Sequence, residues 1–187
     1  MNHSLLRDKK LYDLLLQVDR ELAADARAAA CPCCSGRLDS ALYRRKPRGL
    51  PPAVAADPDH SKRWSLCCDA CNRRVTPPSV RFFGRRVYIA PCFLLISTLQ
   101  GKLTVRRLAW LHERYGMDRR TIRRWQRWWR ELFPLTAFWR IARGRVQPPA
   151  DESSFPGSLL KRFIGTDPLV AVLRFLLPLT TASKVVE

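Results

Sequence analysis

The chain has 187 residues, of which 47% are hydrophobic, and a formal net charge of +18. The hydrophobic fraction excludes an intrinsically disordered class, and the length suits one domain of ordinary size or two small ones. The charge is concentrated, since residues 72–130 hold fifteen basic and two acidic residues. This excess indicates binding to a polyanion such as nucleic acid, because a solubilising surface requires no such concentration.

The sequence also indicates where the protein works. The N-terminal stretch MNHSLLRDKKLYDLLL has scattered charges and no secretory cleavage motif. The longest apolar stretches, 87–99 and 169–179, are shorter than the roughly 20 residues that span a bilayer. We therefore expect a cytoplasmic protein of the nucleoid with no membrane partner. In a reducing compartment, paired C-x-x-C motifs bind metal more often than they form disulfides.

Residues 1–30 are predicted to form one amphipathic helix. Leu11, Leu15, Val18 and Leu22 recur on one helical face, and the segment has equal numbers of basic and acidic residues. Such a helix can pack on the body of the protein or on a second copy of itself. The second arrangement would make it the interface of a homodimer.

Residues 31–86 are predicted to form a zinc ribbon. One C-x-x-C motif runs from Cys31 to Cys34 and a second from Cys68 to Cys71, with 33 residues between the motifs. Short strands are expected over 41–45 and 62–67. The stretch 46–60 is rich in proline and alanine, which predicts an extruded loop.

The four cysteines are the predicted ligands of one structural Zn²⁺, because each C-x-x-C supplies two thiolates and four complete a tetrahedron. The neighbouring Cys33 and Cys67 could each replace a ligand after a small register shift, and His60 is a weaker substitute. Cys92 lies in an apolar stretch, which favours a buried core thiol. A pair of redox-active dithiols is the alternative, and the lack of a surrounding βαβ pattern argues against it.

Residues 87–134 are predicted to form a helix-turn-helix domain. An apolar helix over 88–99 is followed by a helix that Thr104 caps and that ends at Gly116. Asp118 then caps a helix that reaches Phe133. Short helices are expected over 135–187. The predicted fold class is mainly α with a small β zinc ribbon: a helix-turn-helix three-helix core plus short C-terminal helices.

The helix 118–133 is predicted to carry the DNA-binding face. Its inward side is assigned to Ile122, Trp125, Trp129, Leu132 and Phe133, Trp128 is left open, and arginines fill the opposite side. Arginine suits bidentate contact with guanine in the major groove. Contacts with bases or their surroundings are assigned to Arg119, Arg120, Arg123 and Arg124. Contacts with phosphates are assigned to Arg127 and Arg130. Gln126 lies on the flank of this face, where it could also reach a base. Other predicted contacts are Arg106 and Arg107 on the preceding helix and Arg73, Arg74, Arg81, Arg85 and Arg86 in the ribbon.

Two C-x-x-C motifs, a basic stretch and then LTVRRLAWLHERYGMDRRTIRRW together resemble the DNA-binding front end of bacterial insertion-sequence transposases. The resemblance covers about residues 31–133. It implies sequence-specific binding of double-stranded DNA, with the four cysteines as metal ligands and the helix 118–130 as reader. Transposases continue into a ribonuclease-H-like domain with three metal-binding carboxylates, whereas 54 residues follow Phe133 here.

We therefore expect an accessory or regulatory protein rather than an enzyme, with a transposition protein as a further partner. A transcription regulator unrelated to transposition and an RNA-binding zinc-ribbon protein are the alternatives. The narrow major groove of A-form RNA disfavours the latter. The three histidines are scattered, and the sequence shows no Ser/His/Asp set, phosphate loop or paired acids.

Overall fold

The computed structural model of the chain describes residues 3–84, 86–99 and 104–181. Helices dominate this part of the chain, and the strands are short. None of the described helices is long and apolar enough to cross a membrane. The coarse prediction of a mainly helical fold with small sheets is therefore confirmed.

The N-terminal segment begins with a 3₁₀ turn, His3–Arg7, and continues as helix α1, Lys9–Ala28. Asp8 caps α1 by accepting a hydrogen bond from the Lys10 amide. The apolar face of α1, which includes Leu11 and Leu15, is buried in the main core. Of the two arrangements that the sequence allowed, the helix thus packs on the body of its own chain.

The ribbon contains two small antiparallel sheets. Its strands are β1 (Leu38–Ser40), β2 (Tyr43–Arg44), β3 (Lys62–Arg63), β4 (Leu66–Cys68) and β5 (Arg74–Val75). The first sheet has the order β1-β4-β5 and the second pairs β2 with β3. In the first sheet, Leu38 lies opposite Cys68, so pairing of β1 with β4 brings the two cysteine motifs to the same end.

The predicted extruded loop over 46–60 is wrong. The segment contains a short helix, α2 (Pro52–Ala55), and a 3₁₀ turn, Pro58–Ser61. Val54 and His60 are buried, at 0% and 1% exposed. Proline at the first helical position is compatible with the start of a helix. The composition of the segment did not indicate that the Val54 side chain packs in the core.

The central helices are α3 (Ala90–Ser97), α4 (Val105–Tyr115) and α5 (Arg119–Arg127). After α5 the chain continues as one π-helical turn, Trp128–Leu132, and a 3₁₀ turn, Phe133–Leu135. The C-terminal helices are α6 (Ala137–Ala142), α7 (Gly157–Leu160), α8 (Pro168–Phe175) and α9 (Pro178–Thr181).

One main core joins the helical segments. It extends from Leu6 near the N-terminus to Leu179 in α9, and its centre is a group of contacting aromatic rings. In that group Phe93 of α3 stacks on Trp129, and Phe133 contacts Phe155. The predicted segments 87–134 and 135–187 therefore share a core. A second, small core of Cys31, Leu38, Leu66 and Cys68 lies in the ribbon.

A buried ion pair connects α1 to the segment after the ribbon. The Asp19 carboxylate accepts hydrogen bonds from the Ser79 hydroxyl at 2.6 Å, the Val80 amide at 2.8 Å and the Arg81 Nε–H at 2.8 Å. Arg81 also donates to the backbone carbonyls of Asp59, His60 and Lys62. The prediction that Arg81 contacts DNA phosphates is therefore wrong, because its guanidinium is buried against Asp19.

Candidate metal centre and basic helix face

The sulfur atoms of Cys31, Cys34, Cys68 and Cys71 lie within 4.8 Å of one another. The Cys31 and Cys71 sulfurs are 3.7 Å apart, and those of Cys34 and Cys68 are 3.4 Å apart. Four sulfurs at about 2.3 Å from a tetrahedral zinc ion would be about 3.8 Å apart. The cluster can therefore hold a metal ion without a large rearrangement.

The two C-x-x-C turns repeat the same backbone hydrogen bonds. The Cys31 amide donates to the Gly36 carbonyl at 3.0 Å, and the Cys68 amide donates to the Arg73 carbonyl at 2.9 Å. The residues that follow the second cysteine of each motif, Ser35 and Asn72, both have a left-handed backbone, with φ of 58° and 57°. Each turn thus presents its two sulfurs in the same way.

This geometry selects among the seven cysteines. Cys33 is exposed, and the thiol of Cys67 lies against the backbone carbonyls of Cys68 and Asn72. Neither joins the cluster, so the register assigned from the sequence is the one in which the sulfurs meet. Cys92 is fully buried and donates to the Gly49 carbonyl, and burial raises the pKa of its thiol. The prediction of a core thiol is confirmed.

Backbone groups and close packing complete the centre. Hydrogen bonds from the amides of Cys33 and Cys34 lower the pKa of the Cys31 thiol, which favours its thiolate, whereas hydrogen bonds with the other three thiols of the cluster raise the pKa of Cys34. Gly36 is needed because a Cβ at this position would lie 2.9 Å from the Cys68 sulfur and 3.1 Å from the Ala70 Cβ. The sequence predicted no role for Gly36, and its position two residues after a C-x-x-C was the only signal.

Helix α5 presents its arginines to solvent. Arg120, Arg123, Arg124 and Arg127 are exposed, whereas Ile122 and Trp125 are buried. An open depression on this face is lined by Arg119, Arg120, Arg123, Arg124 and Arg127. Arg127 pairs with Glu131, with 2.6 Å between Nε and the carboxylate. The predicted division of α5 into an apolar inner side and a basic outer side is therefore present.

Local interactions fix the start of α5. The Asp118 carboxylate accepts a hydrogen bond from the Thr121 amide at 2.6 Å, and this bond lowers the pKa of Asp118. Gly116, in the turn after α4, has a left-handed backbone with φ of 63°, and its carbonyl accepts a hydrogen bond from the Tyr88 hydroxyl. Met117 is completely buried. The turn between α4 and α5 is thus stabilised by the hydrogen bond from Tyr88 and by the burial of Met117.

The π-helical turn changes which residues face inward after α5. Trp128 and Trp129 are both buried, whereas Leu132 is 37% exposed. The prediction that Leu132 belongs to the inward side is therefore wrong, because a π turn contains an extra residue and rotates the following side chains relative to an α-helix. Trp128, which the sequence left open, packs against Phe93.

Two other predicted DNA contacts are partly buried. The Gln126 side chain is partly buried and donates to the Leu99 carbonyl, so its amide nitrogen holds α5 to the end of α3 rather than facing DNA. Arg86 is partly buried, with its guanidinium against the rings of Phe83, Phe93 and Trp128. No property of the local sequence indicated this enclosure.

The remaining arginines are at or near the surface. Arg73, Arg74, Arg106 and Arg130 are exposed, and Arg107 is partly exposed. Arg85 lies outside the described residues. Burial therefore leaves most of the predicted DNA contacts accessible. It removes Arg81 and the amide nitrogen of Gln126, and it partly encloses Arg86.

Comparison of the chain with protein-family models, curated proteins and solved structures finds no match.

Proposed function

We propose that this protein binds double-stranded DNA through α5 and that its four-cysteine cluster holds one structural Zn²⁺. The observation that carries the proposal is the outer face of α5. Arg120, Arg123 and Arg124 are exposed there, and Glu131 is the only acidic residue between 119 and 133. The like charges of these arginines repel one another, and phosphate groups bound beside them would offset this repulsion.

The shape of the region suits the major groove, which admits one α-helix. In this proposal α4, the turn at Gly116 and α5 act as a helix-turn-helix, with the first turns of α5 nearest the base edges. Arg119, Arg120, Arg123 and Arg124 contact bases or adjacent phosphates. Arg130 and Arg106 extend the contact along the DNA backbone. Arg127 also contacts this backbone while it stays paired with Glu131.

Zinc is proposed for the cluster because four thiolates in a tetrahedron are its usual structural ligand set. The metal would close the small ribbon core and leave no coordination position open for chemistry. It would also fix the orientation of β5, which places Arg73 and Arg74 at the surface as additional phosphate contacts. The ribbon therefore contributes stability and part of the basic surface.

The cellular role proposed is that of an accessory or regulatory factor related to transposases, located at the nucleoid. This part rests on the resemblance of the arrangement of motifs over residues 31–133. A transcription regulator built from the same parts would have the same DNA-binding face. Selection of bound sequences from a random duplex pool separates the two, because the enriched motif can be compared with mobile-element ends and with promoters.

Substitution of two arginines tests the role of α5. The variant Arg120→Ala/Arg123→Ala should bind the selected duplex about tenfold or more weakly, because a bidentate guanine contact is worth about 1–3 kcal/mol. The control Arg140→Ala/Arg143→Ala removes two exposed arginines from outside α5 and should bind almost normally. Both variants should keep the wild-type melting temperature. Equal affinity of the two variants would remove α5 from the interface.

A further inference from the structure

Beside the outer face of α5, the Arg86 guanidinium is enclosed by aromatic rings. Its central carbon lies 4.3 Å from the centroid of Phe93, 4.8 Å from that of Trp128 and 5.0 Å from that of Phe83. Contacts of this kind favour a cation and hold its plane in one orientation. Burial, and then the neighbouring charge of Arg124, lower the pKa of Arg86 to about 10.

The charge of Arg86 is not neutralised within the described part of the chain. The ion pairs found there do not include Arg86, and Glu131, the only acid between residues 119 and 133, pairs with Arg127. A cavity beside the guanidinium is lined by Arg86, Arg124, Trp125, Arg127, Trp128 and Leu132. Its lining therefore includes three guanidinium groups and no carboxylate. Glu131 pairs with Arg127, and Asp118 interacts with the charge of Arg124, which leaves Arg86 without a carboxylate partner among the described residues.

A partly buried cation without a counter-ion is unfavourable, and the adjacent cations increase the cost. An anion in the cavity would remove both penalties and accept charge-assisted hydrogen bonds from more than one guanidinium. The cavity does not suit a nucleobase. Trp125 and Trp128 are 3% and 8% exposed, and their rings already contact Tyr88, Phe93 and Arg86.

We propose that this cavity is a phosphate-binding site in which Arg86, held by the aromatic rings, and Arg124 bind one tetrahedral oxyanion. The phosphate is supplied either by a DNA strand on α5 or by free inorganic phosphate. The first source rests on the proposed function, and the second does not. Arg86 then acts as an anchor for one phosphate at the side of the reading helix rather than as a base contact.

The first test uses inorganic phosphate and the full chain with its zinc. Ring currents from three aromatic groups should separate the Nε–H nuclear magnetic resonance signal of Arg86 from those of exposed arginines. Phosphate should shift this signal saturably, with a dissociation constant in the millimolar range or below, and leave the signal of exposed Arg140 almost unchanged. Small, non-saturating shifts of equal size at both residues would show non-specific attraction and would overturn the proposal for free phosphate.

The second test uses duplex DNA and the variants Arg86→Met and Arg124→Met. Each should reduce the slope of log affinity against log salt by up to about 0.9, the value for one phosphate, and the double variant should lose about 0.9 rather than about 1.8. The control Arg140→Met should keep the wild-type slope. Arg124→Met is included because Arg124 is exposed, so its replacement leaves the aromatic packing intact.

The two tests separate the possible failures. If phosphate shifts the Arg86 signal saturably but neither wild type nor any variant binds DNA, the phosphate site is supported and the proposed function is refuted. Loss of DNA affinity in Arg120→Ala/Arg123→Ala, with an unchanged slope in both methionine variants and no saturable phosphate shift, keeps the function and overturns the phosphate site.

Discussion

Replacement of Asp19 by alanine is expected to be among the most damaging single changes in this chain. Asp19 is 2% exposed and is the ion-pair partner of Arg81, which is 3% exposed. Without the carboxylate, the Arg81 charge stays buried, and the Ser79 hydroxyl and Val80 amide lose their acceptor. The loss of stability therefore comes from the unpaired charge and the unpaired donors as well as from the lost ion pair.

The size of the effect follows from these contacts. Removal of one partner from a buried ion pair costs about 3–5 kcal/mol, and each neutral donor left buried without an acceptor adds about 1 kcal/mol or more. The whole free energy of unfolding of a domain is about 5–15 kcal/mol. Asp19→Ala should therefore lose at least about 3 kcal/mol, which is a large fraction of that free energy.

Urea unfolding at neutral pH with zinc present measures this loss. The matched control is Glu21→Gln on the same helix, because Glu21 is half exposed and makes a 3.3 Å pair with Arg174. It should cost less than about 1 kcal/mol. The double variant Asp19→Leu/Arg81→Met should be more stable than Asp19→Ala, since no charge stays buried. A loss below about 1 kcal/mol in Asp19→Ala would refute the reasoning.

Three further predictions concern the ribbon and His60. Gly36→Ala should weaken zinc retention against a chelator because its Cβ would meet the Cys68 sulfur, whereas Gly144→Ala, with open space around it, should retain zinc normally. Cys71→Ser should lose the metal, and Cys33→Ser should keep about one zinc per chain by elemental analysis. Burial lowers the pKa of His60 below its usual value of about 6.5. Wild type should therefore lose unfolding free energy as the pH falls below about 6.5, since the unfolded state takes up the proton first. The difference in unfolding free energy between pH 7 and pH 5 should be smaller in His60→Gln, and equal pH dependence would contradict this role.

Local signals predicted several elements closely. Thr104 and Gly116 lie at the two ends of α4, and Asp118 caps α5, as their residue types indicated. These features depend on groups within a few residues of each other, and capping chemistry is therefore readable from sequence. The same holds for the two C-x-x-C turns, whose spacing identified the four sulfurs that meet.

Other features depend on which distant groups share the core. The segment 46–60 looked like a loop because composition carries no information about the partner that buries Val54. The π turn after α5 allows both Trp128 and Trp129 to be buried and thereby exposes Leu132. A helical wheel assumes a constant number of residues per turn, so it could not predict which side chains face inward after a π turn.

The sequence by itself determined the two C-x-x-C motifs, the caps of α4 and α5, and the concentration of positive charge between residues 72 and 130. Only the tertiary structure decided which arginines of that region remain available to a ligand. Arg81 is neutralised by Asp19, Arg86 is enclosed by aromatic rings, and Arg123 is exposed. The reason is physical: an arginine has the same charge wherever it stands, and its solvation and its partners come from segments far away in the chain.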